Sequence, residues 1–218
     1  MNSKTKSSTS ISNQKFENLK LQNKNKMEIY WPQEDSFLMQ NAIRKVLQEE
    51  KVKPERVLDL GTGSGILALE AARFAKLIDA VDINKSALEF VKQQIKALNF
   101  NNINVFYSDL FSNVKGKYDL IIFNPPYLPD EPEPGLSHLQ KQDIVAGKKG
   151  NEIICKFLEQ AKNFLNNDGK ILFCCSSLSN RHEIESTLQK VGYSYEIIAR
   201  KKLFFEELFV YLAKLRKS

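Results

Sequence analysis

Short apolar runs alternate with segments of helical period along most of the chain. Residues 56–60, 77–83, 103–107, 118–123 and 170–175 are compact Val/Ile/Leu/Phe-rich runs. Such runs predict strands, and the run 118–123, bounded by a turn signal, predicts one buried on both faces. Between them lie amphipathic stretches. One begins near Gln33 and runs to about Glu50, with Phe37, Leu38, Ala42, Ile43, Val46 and Leu47 on its apolar face and acids at its front. An apolar helix is predicted over 66–75. Another, capped by Asn84 or Ser86, carries Ala87, Leu88, Val91, Ile95 and Leu98. Residues 151–166 predict a fourth helix, followed by a turn at Asn167-Asp168-Gly169. Ser179 or Asn180 opens a fifth, which Gly192 ends. Two last strands, near 194–202 and 207–214, predict an antiparallel hairpin at the sheet edge. This alternation predicts an α/β fold with a doubly wound, mostly parallel sheet.

Two turns interrupt the apolar pattern with unusual chemistry. The run 118–123 ends in Asn124-Pro125-Pro126-Tyr127. Proline lacks the ladder donor, so the strand cannot continue, and Asn124 is presented at its carboxyl tip. Open α/β sheets bind their ligands at that edge. A stiff backbone, an amide and an aromatic ring together form a grip for a small planar group. The other turn is Gly61-Thr62-Gly63-Ser64-Gly65, between the first strand and the helix after it. Strand, glycine turn and helix amino end set backbone donors against a ligand. The spacing G-x-G-x-G matches neither the dinucleotide fingerprint nor a P-loop.

Acids sharpen that picture. Asp59, Asp82 and Asp109 close the first three strands, which brings all three to one edge of the sheet. Asp82, about 20 residues past the glycine turn, is placed to accept hydrogen bonds from ribose hydroxyls. Asp109 can face an exocyclic amino group, with Leu110 beside the ring, and Asp59 can serve a cationic amino group directly or through water.

Charge and composition add boundaries. The net charge is +6, but residues 1–26 hold six lysines and one acid, leaving the remainder near +1. The basic balance therefore belongs to a polar tail that is expected to be disordered. It does not mark the folded part as a nucleic-acid binder, although the tail itself could contact RNA. Met27 directly precedes the first patterned segment, so an internal start is an alternative origin for residues 27–218. No apolar run reaches the roughly 18–20 residues of a membrane span, and the basic N-terminus lacks an apolar h-region. An intracellular, cytoplasmic location is the expectation. Cys155, Cys174 and Cys175 form no C-x-x-C pair, and read as small buried hydrophobes in a reducing compartment. No metal site is expected, and His138 and His182 read as solvated. Lys201, Lys202, Lys214, Arg216 and Lys217 read as a solvated edge.

Asp59-Leu60-Gly61-Thr62-Gly63-Ser64-Gly65, Asp82, Asp109 and Asn124-Pro125-Pro126-Tyr127 resemble class I S-adenosylmethionine-dependent methyltransferases with the N/D-P-P-Y motif. More narrowly, the chain is similar to archaeal and eukaryotic release-factor glutamine methyltransferases from about Ile29 onward. Tyr30-Trp31-Pro32-Gln33-Glu34-Asp35-Ser36-Phe37 is close to that family's entry segment Y-E-P-A-E-D-S/T-F, with Trp31 in place of Glu. Ala146-Gly147-Lys148-Lys149-Gly150 is near its A-G-G-x-x-G, with Lys148 in place of the second glycine. The resemblance implies a Rossmann-like, seven-stranded, mostly parallel sheet with an antiparallel C-terminal hairpin and helices on both faces. It assigns a polar tail to 1–26 and a methyltransferase domain to 27–218.

The resemblance also implies chemistry. S-adenosyl-L-methionine is the cofactor, held by Ser36, Asp59, Gly61, Thr62, Gly63, Gly65, Asp82, Ile83, Asp109, Leu110 and Asn124. Asn124, Pro125, Pro126 and Tyr127 form the catalytic turn. The implied reaction is N-methylation of the glutamine amide in the Gly-Gly-Gln loop of a translation release factor. A small zinc-ribbon activator is the implied partner. The turn itself fits the exocyclic amine of an RNA or DNA base equally well. A non-catalytic cofactor-binding scaffold is the third reading.

Overall fold

A computed structural model describes residues 29–50, 52–127 and 150–216. The expected tail 1–26, most of the proline-rich stretch after Tyr127, His138 and the Ala146–Lys149 part of the second family segment lie outside them. Helix α1 (Glu34–Glu49) precedes the alternation β1 (Arg56–Leu60), α2 (Ile66–Ala71), β2 (Leu77–Asp82), α3 (Lys85–Leu98), β3 (Ile103–Tyr107) and β4 (Tyr118–Phe123). Helix α4 (Glu152–Ala161), a 3-10 turn, β5 (Leu165–Ser176), α5 (Arg181–Val191), β6 (Tyr193–Lys202) and β7 (Glu207–Leu215) complete it. The seven strands run in the order β3-β2-β1-β4-β5-β7-β6. The first five are parallel; β7 is antiparallel to both β5 and β6. The hairpin therefore does not simply extend the edge, because its second strand inserts beside β5.

The inner strands are buried on both faces and produce one core per face, while the edge strands β3 and β6 are largely half-buried or exposed. On one face Leu58, Leu60, Ile121 and Phe123 pack with Ile154, Phe157 and Leu158 of α4 and Ile184 and Leu188 of α5. On the other, Val57, Leu120 and Ile122 pack with Met39, Ile43 and Val46 of α1 and Leu67 and Ala68 of α2. The period of two along each strand alternates residues between these cores. Cys175 belongs to the first and Cys174 to the second, as adjacency in a strand requires. Both thiols are held above their ordinary pKa by burial, Cys175 to about 12.

Helix ends follow the local chemistry. Asn84 caps α3 by accepting from the backbone N–H groups of Ser86 and Ala87, and Asn180 caps α5 through Glu183 N–H. Gly192 ends α5 with a left-handed φ of 97°.

Several expected boundaries and faces are corrected. Helix α2 stops at Ala71 rather than residue 75, because the N–H groups of Arg73 and Phe74 turn to carbonyls three residues back. Strand β2 ends at Asp82. Helix α4 ends at Ala161, and β5 starts at Leu165; the Asn167-Asp168-Gly169 turn becomes an irregularity inside β5, where pairing jumps from Tyr118↔Leu165 to Leu120↔Lys170. In α1 Phe37 is exposed and Met39 is buried. In α3 Ile95 and Leu98 are half-buried, while Phe90 and Gln94 take the inner face. Gln94 is tolerated there because its amide donates to the Ser64 carbonyl at 2.5 Å, tying the helix to the glycine turn.

Candidate functional site

Strand register assembles the site. Leu60 pairs with Val81 on one side and Phe123 on the other, and Asp82 pairs with Tyr107. One residue further along, Gly61, Asp82 and Asn124 therefore stand level at the carboxyl edge. The sheet order reverses at β1/β4, and a crevice opens at such switch points. A cavity of about 330 Å³ occupies it.

Its wall gathers Ser36, Gly61, Thr62, Gly63, Asp82, Ile83, Asp109, Leu110, Asn124, Pro125, Pro126 and Tyr127. Asp59 and Gly65, also expected there, do not reach the cavity surface. Asp59 lies behind the glycine turn, where one carboxylate oxygen accepts from the Thr62 hydroxyl at 2.7 Å and Ala68 N–H at 3.0 Å. Its other oxygen is buried without a partner. Burial raises this carboxyl to about 7, against the lowering effect of those two hydrogen bonds. Asp59 is thus the post around which the turn is wound. Gly65 serves packing: φ is +78°, and a Cβ there would lie 2.8 Å from Val91 of α3.

Asp82 holds the front of the turn. Its oxygens accept from Gly63 N–H and Asn84 N–H, each at 2.8 Å. Burial raises its pKa, and hydrogen bonds from Asn84, Gly63 and Ile83 oppose the rise. Leu110 adopts φ +44°, uncommon for a branched side chain. The Ser108 hydroxyl donates to its carbonyl at 2.7 Å and holds that kink.

The Asn124 turn depends on a residue the motif reading missed. Asp35, in the first turn of α1, is 2% exposed and spends its carboxylate on the site rather than on its own helix. It accepts from the Tyr30 hydroxyl at 3.1 Å, the Ser36 hydroxyl at 3.4 Å and Asn124 Nδ2 at 2.7 Å. A carboxylate only accepts, so Asn124 must turn its NH₂ toward Asp35. Its carbonyl Oδ1 is left buried and without a partner: an unused acceptor on a residue of the cavity wall. Asp35 stands both in the Tyr30–Phe37 segment and at the acidic front of α1, but neither signal places it against Asn124. Tyr30, Gln33 and Glu206 also line the cavity.

Tyr127 stands beside this acceptor, its carbonyl accepting from the Ser179 hydroxyl at 2.9 Å. Burial first, then the charge of Asp35, raises the phenol pKa of both Tyr127 and Tyr30. Both stay neutral at physiological pH, so neither is a general base. Tyr127 offers a ring face.

Electrostatics restrict the ligand. Asp35, Asp82, Asp109 and Glu206 are the charged residues among those described on the wall, which include no Lys, Arg or His. An anionic cavity repels phosphates and suits a cation. The chemistry of this donor set fits a nucleoside carrying ammonium and sulfonium groups.

Comparison with known proteins agrees. Residues 39–136 match the family model of the methyltransferase small domain. A putative protein N5-glutamine methyltransferase of Methanocaldococcus jannaschii is 39% identical over 84% of this chain and 90% of its own length. This chain belongs to that methyltransferase family. It is an S-adenosyl-L-methionine-dependent class I methyltransferase. The release factor glutamine methyltransferase of Streptococcus pneumoniae is 33% identical over 61% of the chain and 50% of its own length, so the chain spans about half of that relative. Among solved structures, a chain of the E. cuniculi Mtq2–Trm112 complex, described as responsible for methylating the termination factor eRF1, superposes with a TM-score of 0.65. It is 23% identical and covers 87% of this chain and 100% of its own. That likeness shows the Rossmann-like fold. Among the described residues no helix is long and apolar enough to cross a membrane.

Proposed function

We propose that this methyltransferase modifies the side-chain amide of the glutamine in the Gly-Gly-Gln loop of a translation release factor. The observation that carries methylation of a planar nitrogen is Asn124, whose NH₂ is fixed by Asp35 while its carbonyl is left unpartnered; the likeness to protein glutamine methyltransferases favours the amide over a base as that nitrogen. A glutamine amide nitrogen is a poor nucleophile, since its lone pair is delocalised, and it is too weak an acid for a base to help much. Acceptors for its N–H groups orient it and favour positive charge developing on nitrogen. Asn124 Oδ1 and the Pro125 carbonyl are those acceptors. Pro126 keeps the turn stiff, and Tyr127 stacks on the planar amide.

Bound S-adenosyl-L-methionine supplies an electrophilic methyl group on its sulfonium. Asp82 would accept from the ribose hydroxyls, with Ile83 lining the same part of the wall, and Asp109 and Leu110 would hold the adenine. Ser36, Gly61, Thr62 and Gly63 line the rest. Asp59 and Gly65 hold the turn in shape from behind.

The names of the relatives support the protein acceptor, including the release factor enzymes and the M. jannaschii protein. The Mtq2–Trm112 assembly supports a second protein as partner; a small zinc-ribbon activator is the partner this reading assigns. Under this reading the protein is cytoplasmic, with residues 1–26 a basic tail ahead of a methyltransferase domain at 27–218. The test is incubation with labelled cofactor, release factor and total RNA, followed by mass spectrometry of the Gly-Gly-Gln peptide. A mass gain of one methyl on the glutamine is expected; label confined to RNA would overturn the reading.

A further inference from the structure

The hairpin between β6 and β7 ends in an aromatic pair that the fold does not use. Leu203 N–H donates to the Glu206 carbonyl at 2.8 Å, which leaves Phe204 and Phe205 as the two central residues of the turn. Such positions usually carry Gly, Asn or Asp, because the favoured hairpin turns require positive φ. Neither phenylalanine has positive φ, so the turn's geometry does not explain the choice. Phe204 is 92% and Phe205 84% exposed. Their rings meet edge to face, with centroids 4.6 Å apart. Paired aromatics left in water mark contact sites when they sit where a partner passes.

Their position supplies that condition. Ser176 pairs with Leu208, so the hairpin tip lies at the carboxyl edge of the sheet. Glu206, next to Phe205, lines the cavity, and its carboxylate accepts from the Ser176 hydroxyl. The pair therefore stands one residue from the cavity wall. A cavity of about 330 Å³ is at the small end for a single ligand of cofactor size. The main chain of a macromolecular acceptor must stay outside and cross the rim.

Charge around the pair is mixed. Arg200, Lys201 and Lys202 precede it and Glu206 and Glu207 follow it, with Lys202 opposite Glu207 in the ladder and Lys201 paired with Glu34. Such a tip offers no concentrated positive field to a phosphate backbone, and its two exposed rings suit an apolar side chain of a polypeptide. We propose that Phe204 and Phe205 anchor the polypeptide acceptor by taking an apolar side chain that flanks the methylated residue. The proposal rests on the protein-acceptor reading above.

The test compares wild type with a Phe204→Ala/Phe205→Ala double variant, using release factor as acceptor and calorimetry for cofactor affinity. Expected are a rise in KM for the release factor of roughly tenfold or more, the scale of a lost aromatic anchor, and unchanged cofactor affinity and kcat. A Phe204→Leu/Phe205→Leu variant should recover most of the KM. An unchanged KM overturns the proposal, as does a parallel loss of cofactor affinity, which would make the tip part of the cavity's own packing. A change in oligomeric state with unchanged KM assigns the pair to a second copy of the chain and overturns it too. If wild type labels only RNA, the acceptor reading itself fails; loss of that label in the double variant would then mark a base-stacking tip.

Discussion

At the scale of single residues, the chemistry turns on one amide being held one way round. Asp35 accepts from Asn124 Nδ2 at 2.7 Å, which keeps Oδ1 available. Asn124→Ala removes the acceptor, and methyl transfer should fall roughly 10²–10³-fold, the usual loss for one preorganised hydrogen bond to the reacting group. Cofactor binding, followed by calorimetry, should persist. Asp35→Asn leaves a side chain that can both donate and accept, so the Asn124 amide is free to flip. A loss in kcat of about 10–100-fold is expected from the misoriented fraction. Full activity in that variant would show that Asn124 needs no such lock.

Asp59 carries a pH signature. Its carboxyl is raised from 3.8 to about 7 by burial, so the folded chain holds a proton there that the unfolded chain has released. Stability of the ligand-free protein should therefore fall as pH rises from about 4 to about 7, the opposite sign to a salt-bridged carboxylate. Asp59→Asn should flatten that part of the curve in chemical denaturation at a series of pH values. An identical pH slope in both proteins would remove Asp59 as its source.

At the scale of elements, the glycine turn is a joint between β1, α2 and α3. Asp59 fixes it from behind, Asp82 from the front and Gln94 from α3. Gly65 closes the joint, and the methyl of Gly65→Ala meets both a left-handed φ and Val91 at 2.8 Å. The substitution should cost about 2–4 kcal/mol of unfolding free energy, from backbone strain together with overpacking. Gly65→Ala/Val91→Ala should recover the packing part but not the strain. At the far end of the sheet Asp79 ties four strands: it accepts from Tyr118 at 2.8 Å and Asn104 at 3.0 Å and pairs with Arg56 at 2.5 Å. That network is remote from the cavity and belongs to the scaffold.

At the scale of the whole molecule, the cavity exists because strand order reverses between β1 and β4 and the first turn of α1 lines the resulting crevice. Its acids face one another with no described cation on the wall, so a cationic ligand should stabilise the fold. S-adenosyl-L-methionine at 100 times its Kd should add about 2.7 kcal/mol, raising Tm by roughly 5–10 °C for a protein of this size. Asp82→Ala should lose most of that shift in differential scanning fluorimetry. A full shift in the variant would place the cofactor elsewhere.

The sequence alone determined the element order, both turns and the acids at the strand ends, because each depends on local signals: period, proline, glycine and position after a run. Asn84, Asn180 and Gly192 act where capping chemistry says they should. Helix lengths were less legible, since Arg73 and Phe74 tighten into a turn only once α2 is packed. What tertiary structure decided is which groups meet. Asp59 is the last but one residue of β1 and Asp82 the last of β2, so the turn folds over the first and leaves the second at the edge. Asp35 lies 89 residues from Asn124, and nothing local distinguishes a helix-dipole acid from one that holds an amide across the sheet. Phe204 and Phe205 fall between the two last predicted strands, and only the insertion of β7 beside β5 carries that hairpin tip to the cavity rim. Local chemistry sets what each segment can offer; only the register and reversal of the sheet set what stands next to it.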